Sequence, residues 1–192
     1  GKPKGVVVHH RALCTSIEEH GKAFGFHPDV RMMHFASYAF DATFTESITP
    51  LAFQGSVCIG SESDRIEDLA GFFNRFKVNW TVLTPAIARM LNPEDVPTLQ
   101  TLICGGDAIG DLTPRKWSSK LRFIQVYGPT ETTIVVSISD RQNKEVRPAM
   151  IGHMFTSAAW IVNPRNHDIL MPVGAAGELL IEGPVLARGY LN

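Results

Sequence analysis

From about residue 31 to residue 126 the chain alternates short, almost wholly apolar runs with amphipathic runs of helical length, and few folds accept that rhythm. "RMMHFAS", "SVCIG", "NWTVLT", "LQTLICGG" and "LRFIQV" read as strands with little polar–apolar alternation, so both their faces need cover. Between them lie helix-length segments: "TFTESITPLAFQG" closed by Gly55, "RIEDLAGFFNRF" with Ile66, Leu69, Phe72, Phe73 and Phe76 on one face, proline-initiated "PAIARML", and a stretch near "LTPRKWSS". Upstream, "GVVVHH" reads as a strand, and "RALCTSIEEHGKAF" as a helix with Ala12, Leu13, Ile17, Ala23 and Phe24 at helical spacing. This βαβα order predicts an α/β fold with a mostly parallel sheet flanked by helices. After about Ser139 the pattern shifts to "AAWIVNP", "DILMPVG" and "GELLIEG", short strands between Pro/Gly turns. The expected division is therefore an α/β part over 1–138 and the start of a smaller β-rich subdomain over 139–192.

Composition narrows the function classes. With 192 residues, 44% of them apolar and 19% charged, the chain has the makings of a packed core. A net charge of −1 with scattered basic residues argues against a nucleic-acid surface. No run reaches the ~18 apolar residues of a membrane span. "GKPKG" is followed by only "VVV" before two histidines, which is not a signal peptide. Cys14, Cys58 and Cys104 fit neither a zinc site nor a disulfide framework, so a reduced, cytoplasmic setting is expected. There is no initiating Met, "GKPKGVVV" reads as the end of a loop entering a strand, and the chain stops at "ARGYLN"; both ends read as cut.

In doubly wound sheets ligands sit beyond the carboxyl ends of the strands. There the sequence places "SYAFDAT", "TPA", "GGD" and "YGPTE", each compatible with a turn but together outlining one rim. In "QVYGPTETT", Gly128 and Pro129 end the strand. Thr130 and Thr132 then either cap the next element or belong to a site in which an aromatic face, a hydroxyl and a carboxylate converge. Asp41 follows an apolar run at a position expected to be largely buried, where an unpaired carboxylate is costly. It either caps the following helix or meets a positive charge. Asp107 likewise suits a helix cap or a ligand-facing acceptor. Lys2 and Lys4 flank Pro3 between Gly1 and Gly5, which describes either a solvated basic turn or a loop able to wrap phosphates.

"GKPKGV" (1–6), "FDAT" (40–43), "YGPTE" (127–131) and "GELLIEGPVLARGYL" (177–191) stand in the order and approximate spacing of the adenylate-forming superfamily. More narrowly, the chain resembles the amino-acid adenylation domains of nonribosomal peptide synthetases along its whole length. Departures are modest: "IGHMF" (151–155) stands where the family usually has Ile-Gly-x-Pro, and Asn163 replaces a common Asp. The resemblance implies activation of an amino acid with ATP and Mg²⁺ to aminoacyl-AMP and pyrophosphate. The product then passes to a phosphopantetheine thiol on a carrier domain, with condensation domains as further partners. It also implies roles: Tyr127 and Gly128 against the adenine, Gly105, Gly106 and Asp107 along its edge, Thr130 on the α-phosphate, Glu131 on the metal, and Lys4 and Gly5 in the loop over the outer phosphates. Asp41 would pair with the substrate α-ammonium, a group that acyl-CoA-forming relatives do not bind.

The family's specificity positions map onto Asp41, Ala42, Thr45, Ala86, Ile103, Gly105, Val126, Ile134 and Val135. Beyond Asp41 this lining holds no charge, and its small residues at Thr45, Ala86 and Gly105 imply an apolar side chain of medium to large size. An acyl-CoA synthetase and a catalytically decayed nucleotide-binding module are the alternatives. By the same resemblance the ribose-gripping Thr-Gly-Asp motif and the small domain with the catalytic lysine lie past "ARGYLN", so these residues alone are expected to be inactive.

Overall fold

The computed structural model describes residues 4–140 and 150–191. Its elements run β1 (Gly5–Val6), α1 (His10–Phe24), β2 (Arg31–His34), α2 (Ala42–Ala52), β3 (Ser56–Ile59), α3 (Glu62–Ile66), α4 (Leu69–Phe76), β4 (Trp80–Leu83), α5 (Pro85–Met90), β5 (Thr101–Cys104), α6 (Leu112–Trp117) and β6 (Arg122–Tyr127). They continue as β7 (Ser137–Asp140), β8 (His153–Met154), β9 (Ala158–Asn163), β10 (Asn166–Leu170), β11 (Glu178–Glu182) and β12 (Tyr190–Leu191).

The five apolar runs form one sheet, its inner strands β2, β4, β5 and β6 largely buried on both faces and the edge strand β3 more exposed. The seven-stranded sheet has the order β3-β2-β4-β5-β6-β7-β8, parallel from β3 to β6 and antiparallel at β7 and β8. Adjacent residues point to opposite layers. Met33, Leu102, Cys104 and Phe123 pack with Phe72, Phe73, Ala88 and Trp117 of α4, α5 and α6. Met32, Ile103 and Ile124 pack with Phe24 of α1 and with Trp80, Ile134 and Val135. A residue such as Phe72 or Trp117, wholly buried, contributes about 1.5–3 kcal/mol by leaving water. The indole N–H of Trp117 donates to the Ala88 carbonyl at 3.0 Å, so the ring enters the core without an orphaned donor.

Strand order reverses at β2, since β3 joins one side of it and β4 the other. That is a topological switch point, and crevices outside the carboxyl ends of such strands hold ligands. The loop leaving β2 carries Asp41.

Three local expectations are corrected. "GVVVHH" is not a full strand: Gly5 and Val6 pair antiparallel with Tyr190–Leu191, Val7 adds backbone hydrogen bonds to Arg188 and Gly189, and His10 already opens α1. "RIEDLAGFFNRF" is two helices, because Asp68 leaves the helical path and its carboxylate accepts from the Gly71 N–H to start α4. The division expected at 138/139 falls inside β7, and the large sheet continues through β8. Beyond it β10, β9 and β11 form a separate antiparallel sheet of three strands. Among the described residues no helix is long and apolar enough to cross a membrane.

Candidate active site

β6 ends at Tyr127 and the chain turns at once, because Gly128 leaves no room for anything else. A Cβ there would stand 2.2 Å from the Ile134 carbonyl oxygen and 2.7 Å from the Val135 Cα. Pro129 then opens a single 3-10 turn, Thr130–Thr132, in which the Thr132 hydroxyl donates to the Pro129 carbonyl at 2.8 Å. The turn ends in two consecutive β-branched residues with left-handed backbone, Thr133 at φ 54° and Ile134 at φ 81°. Such residues cost on the order of 1–3 kcal/mol each and persist only where the surroundings over-determine them.

The surroundings do so from two sides. From the β-rich part, the Val185 carbonyl accepts the Thr133 hydroxyl at 2.5 Å and the Ala187 N–H donates to the Glu131 carbonyl at 2.8 Å. From α1, the Ser16 hydroxyl donates to the Thr133 carbonyl at 2.6 Å.

Asp41 occupies the N-cap position of α2, yet its side chain makes no capping bond. It lies beside Thr130, whose hydroxyl favours its charged form, and its Oδ2 is buried without a partner. Burial pushes the Asp41 carboxyl above the usual carboxylate range, against the Thr130 hydroxyl and backbone N–H groups that favour its charge. Beside it lies a cavity of about 110 Å³ lined by Val8, His9, His10, Leu13, Asp41, Phe44, Thr130, Thr133 and Ile134.

A second cavity, of about 650 Å³, opens on the other side of the turn and is lined by Gly106–Ile109, Gln125–Pro129 and Ile151. It brings Gly106, Asp107, Val126, Tyr127 and Gly128 together. Asp107 is exposed and caps no helix; its Oδ1 accepts only from the next residue's N–H at 2.7 Å, and α6 starts further on, at Leu112.

Glu131 points out of the turn toward the chain's last described strand. The Tyr190 hydroxyl donates to its carboxylate and Lys4 stands 5.5 Å from the Tyr190 ring centroid. The Tyr190 bond, with a backbone N–H and the Lys4 charge behind it, holds the Glu131 carboxyl below its ordinary range. Gly1, Lys2 and Pro3 lie outside the described residues, so Lys4 and Gly5 represent the basic loop.

The remaining sequence-selected positions disperse. Ile103 and Val135 are core residues beneath the rim, packed with Ile134, and Ala86 is exposed at the start of α5. Ala42 opens α2 half-buried, and Thr45 is buried with its hydroxyl unpartnered. The room expected beside Gly105 is taken by Val126, whose Cγ2 lies 2.5 Å from where a Cβ would stand.

Sequence reasoning missed four contributors: Ser16, His20 and Thr49, which form a buried hydrogen-bonded chain, and Glu46. The Glu46 carboxylate accepts from the N–H groups of Phe35 and Ala36 at 2.8 and 2.7 Å, fixing the loop that leads to Asp41. For Ser16 and His20 the one available signal was their polarity on a helix whose other buried positions, Ala12, Ile17, Gly21 and Phe24, are non-polar; α2 buries Thr43 and Thr45 as well, so Glu46 and Thr49 do not stand out there.

A nucleotide-sized cleft and a small pocket with a carboxylate thus meet at one strained turn. The family model described as "AMP-binding enzyme" matches residues 1–191. The chain belongs to the AMP-binding enzyme family. Over its whole length it is 62% identical to nonribosomal peptide synthetase 5 of Gibberella zeae and 45% identical to nonribosomal peptide synthetase 8 of Aspergillus fumigatus, and it spans 2% of each of those proteins. The Vibrio cholerae adenylation domain AlmE, solved with glycyl-adenosine-5'-phosphate, superposes with a TM-score of 0.87 at 24% identity, covering the whole chain and 39% of AlmE. The N-terminal subdomain of Klebsiella oxytoca NpsA gives 0.79 at 22% identity over 51% of its length. At those identities the likeness establishes the fold.

Proposed function

We propose that this chain is part of an adenylation domain that activates an amino acid with ATP and hands the aminoacyl group to a carrier-bound phosphopantetheine in nonribosomal peptide synthesis. The carrying observation is Asp41: a carboxylate with one oxygen buried and unpartnered, facing a pocket whose walls are largely apolar. Nothing in the fold explains that oxygen, whereas the α-ammonium of an amino acid supplies the missing charge and donors. The fungal synthetases at 62% and 45% identity point the same way.

In this reading the 650 Å³ cleft takes the adenine, with Tyr127 and Gly128 against its face and Gly106 and Asp107 along its edge. Asp107 is free to accept an exocyclic N–H because it caps no helix. Thr130 lies between the two cavities, its hydroxyl within reach of Asp41, and so stands where the carboxyl group meets the α-phosphate. Lys4 beside Tyr190 and Glu131 supplies positive charge for the outer phosphates.

The residues present fit a magnesium ion. Mg²⁺ is held through one or two carboxylates together with substrate phosphates, and Glu131 is a partly exposed carboxylate kept ionised by its neighbours. When bound, the ion neutralises charge on the phosphates as pyrophosphate departs. Asp41 orients the amino acid so that its carboxylate lies toward Thr130, and the apolar walls exclude water from the reacting groups. The pocket side of Ile134 and Phe44 suits an apolar side chain.

The test is ATP–pyrophosphate exchange by the full-length protein against panels of amino acids and fatty acids. Exchange driven by apolar amino acids is expected. Exchange driven only by fatty acids would make the protein an acyl-CoA-forming ligase, and none at all a nucleotide-binding module.

A further inference from the structure

Ser16 and His20 of α1 and Thr49 of α2 are wholly buried polar residues on helix faces that otherwise pack the sheet. Their hydrogen bonds run in one direction. The Ser16 hydroxyl gives its only proton to the Thr133 carbonyl at 2.6 Å, so its 3.3 Å contact with His20 Nδ1 requires Nδ1–H to be the donor. The neutral ring then accepts at Nε2, where the Thr49 hydroxyl lies at 2.7 Å; that hydroxyl's other acceptor, the Phe44 carbonyl, is farther off at 3.4 Å. Burial lowers the His20 pKa to about 3, which keeps the ring neutral throughout the neutral range. Phe24 stacks on the ring at 5.3 Å and fixes its plane.

The chain ends on the one carbonyl that joins the two left-handed residues, and the next residue, Ile134, lines the pocket beside Asp41. We infer that the Thr49–His20–Ser16 chain is a positioning device that sets amino-acid selectivity by holding the Thr133–Ile134 corner against the pocket. This rests on the amino-acid-activating reading of the site. Glu131 has its own tether in the Ala187 N–H, so the device governs the amino-acid side of the turn more than the nucleotide side.

The experiment uses the full-length protein and amino-acid-dependent pyrophosphate exchange. Ser16→Ala removes the donor to Thr133. His20→Phe keeps a ring on Phe24 but breaks both hydrogen bonds, and His20→Asn restores a donor near the Nδ1 position. Ser16→Ala and His20→Phe should raise the KM for the preferred amino acid about tenfold, as expected for one buried polar group left unpaired. They should leave the KM for ATP within about twofold, and shrink the preference for the best amino acid over its one-methylene-shorter analogue. His20→Asn should recover part of both effects. Val96→Ala, which opens the core on the opposite face of the sheet, should lower the melting temperature without changing that preference. If wild-type protein exchanges but Ser16→Ala and His20→Phe shift only stability, or shift both KM values equally, the inference is overturned alone. If wild-type protein exchanges with no amino acid, the reading of the site fails and takes this inference with it.

Discussion

Asp41→Asn separates what the site does from what holds the fold. In the substrate-free protein Asp41 Oδ2 is buried and unpartnered, and burial, with a smaller contribution from the Glu131 charge, raises its pKa above 3.8. A carboxyl whose folded pKa exceeds its unfolded value costs stability as pH rises: none is lost below the unfolded pKa, and the whole penalty applies above the folded one. At neutral pH asparagine, of the same shape and uncharged, removes that penalty, so the melting temperature of the substrate-free protein should hold or rise. Catalysis should move the other way. Truncating one partner of a desolvated charge pair costs about 2–5 kcal/mol. At about 1.36 kcal/mol per decade this is roughly thirtyfold to several thousandfold in kcat/KM for the amino acid. Pyrophosphate exchange over a range of amino-acid concentrations measures the loss, and thermal unfolding without substrate measures the gain. A variant with wild-type exchange kinetics and a lowered melting temperature would refute the reasoning, because Asp41 would then be a structural carboxylate.

Glu131→Ala should depress exchange by roughly a hundredfold or more while leaving the fold intact, since the carboxylate is partly exposed and packs no core; near-normal exchange would remove Glu131 from the metal role. Gly128→Ala would drive a methyl to 2.2 Å from the Ile134 carbonyl, so loss of exchange together with a lower melting temperature is expected, and an unaffected variant would show that the turn yields. Burial lifts the Glu46 carboxyl to about 7 from 4.5, so its contribution to stability is full below pH 4.5 and is lost as pH rises toward 7. Glu46→Gln should therefore raise the melting temperature at pH 8 relative to wild type and change it little at pH 4; an equal shift at both would rule out ionisation as the cause.

The sheet was legible because its physics is local. A parallel strand covered on both faces must be apolar throughout, and Met32–Met33, Leu102–Ile103 and Phe123–Ile124 announce this without knowledge of their partners. The break between α3 and α4 was less visible, since the apolar period runs through it. The Ser61–Asp64 capping box that starts α3 is written in the sequence, but the bond from Gly71 to Asp68 depends on backbone geometry that periodicity does not encode. The "VVVHH" run shows the opposite failure: β-branched residues fit a strand, but a strand needs a neighbour, and the run has one only as far as Val7 before α1 opens at His10.

At the rim, local rules stop working for a common reason. Thr133 and Ile134 are among the residue types least suited to positive φ, and no reading of their identity would place them there. What holds them comes from Ser16, 117 positions away, and from Val185, 52 positions away. Glu46, Thr45 and Asp41 likewise put polar atoms where burial disfavours them. Folding alone does not favour an unpartnered carboxylate and two strained residues along one crevice, because each lowers stability and the remainder of the chain must offset it. Their convergence on one pocket is therefore a stronger sign of a working site than any single motif. It also explains why the residues that set the corner's geometry, rather than those that touch the ligand, were the ones the sequence concealed.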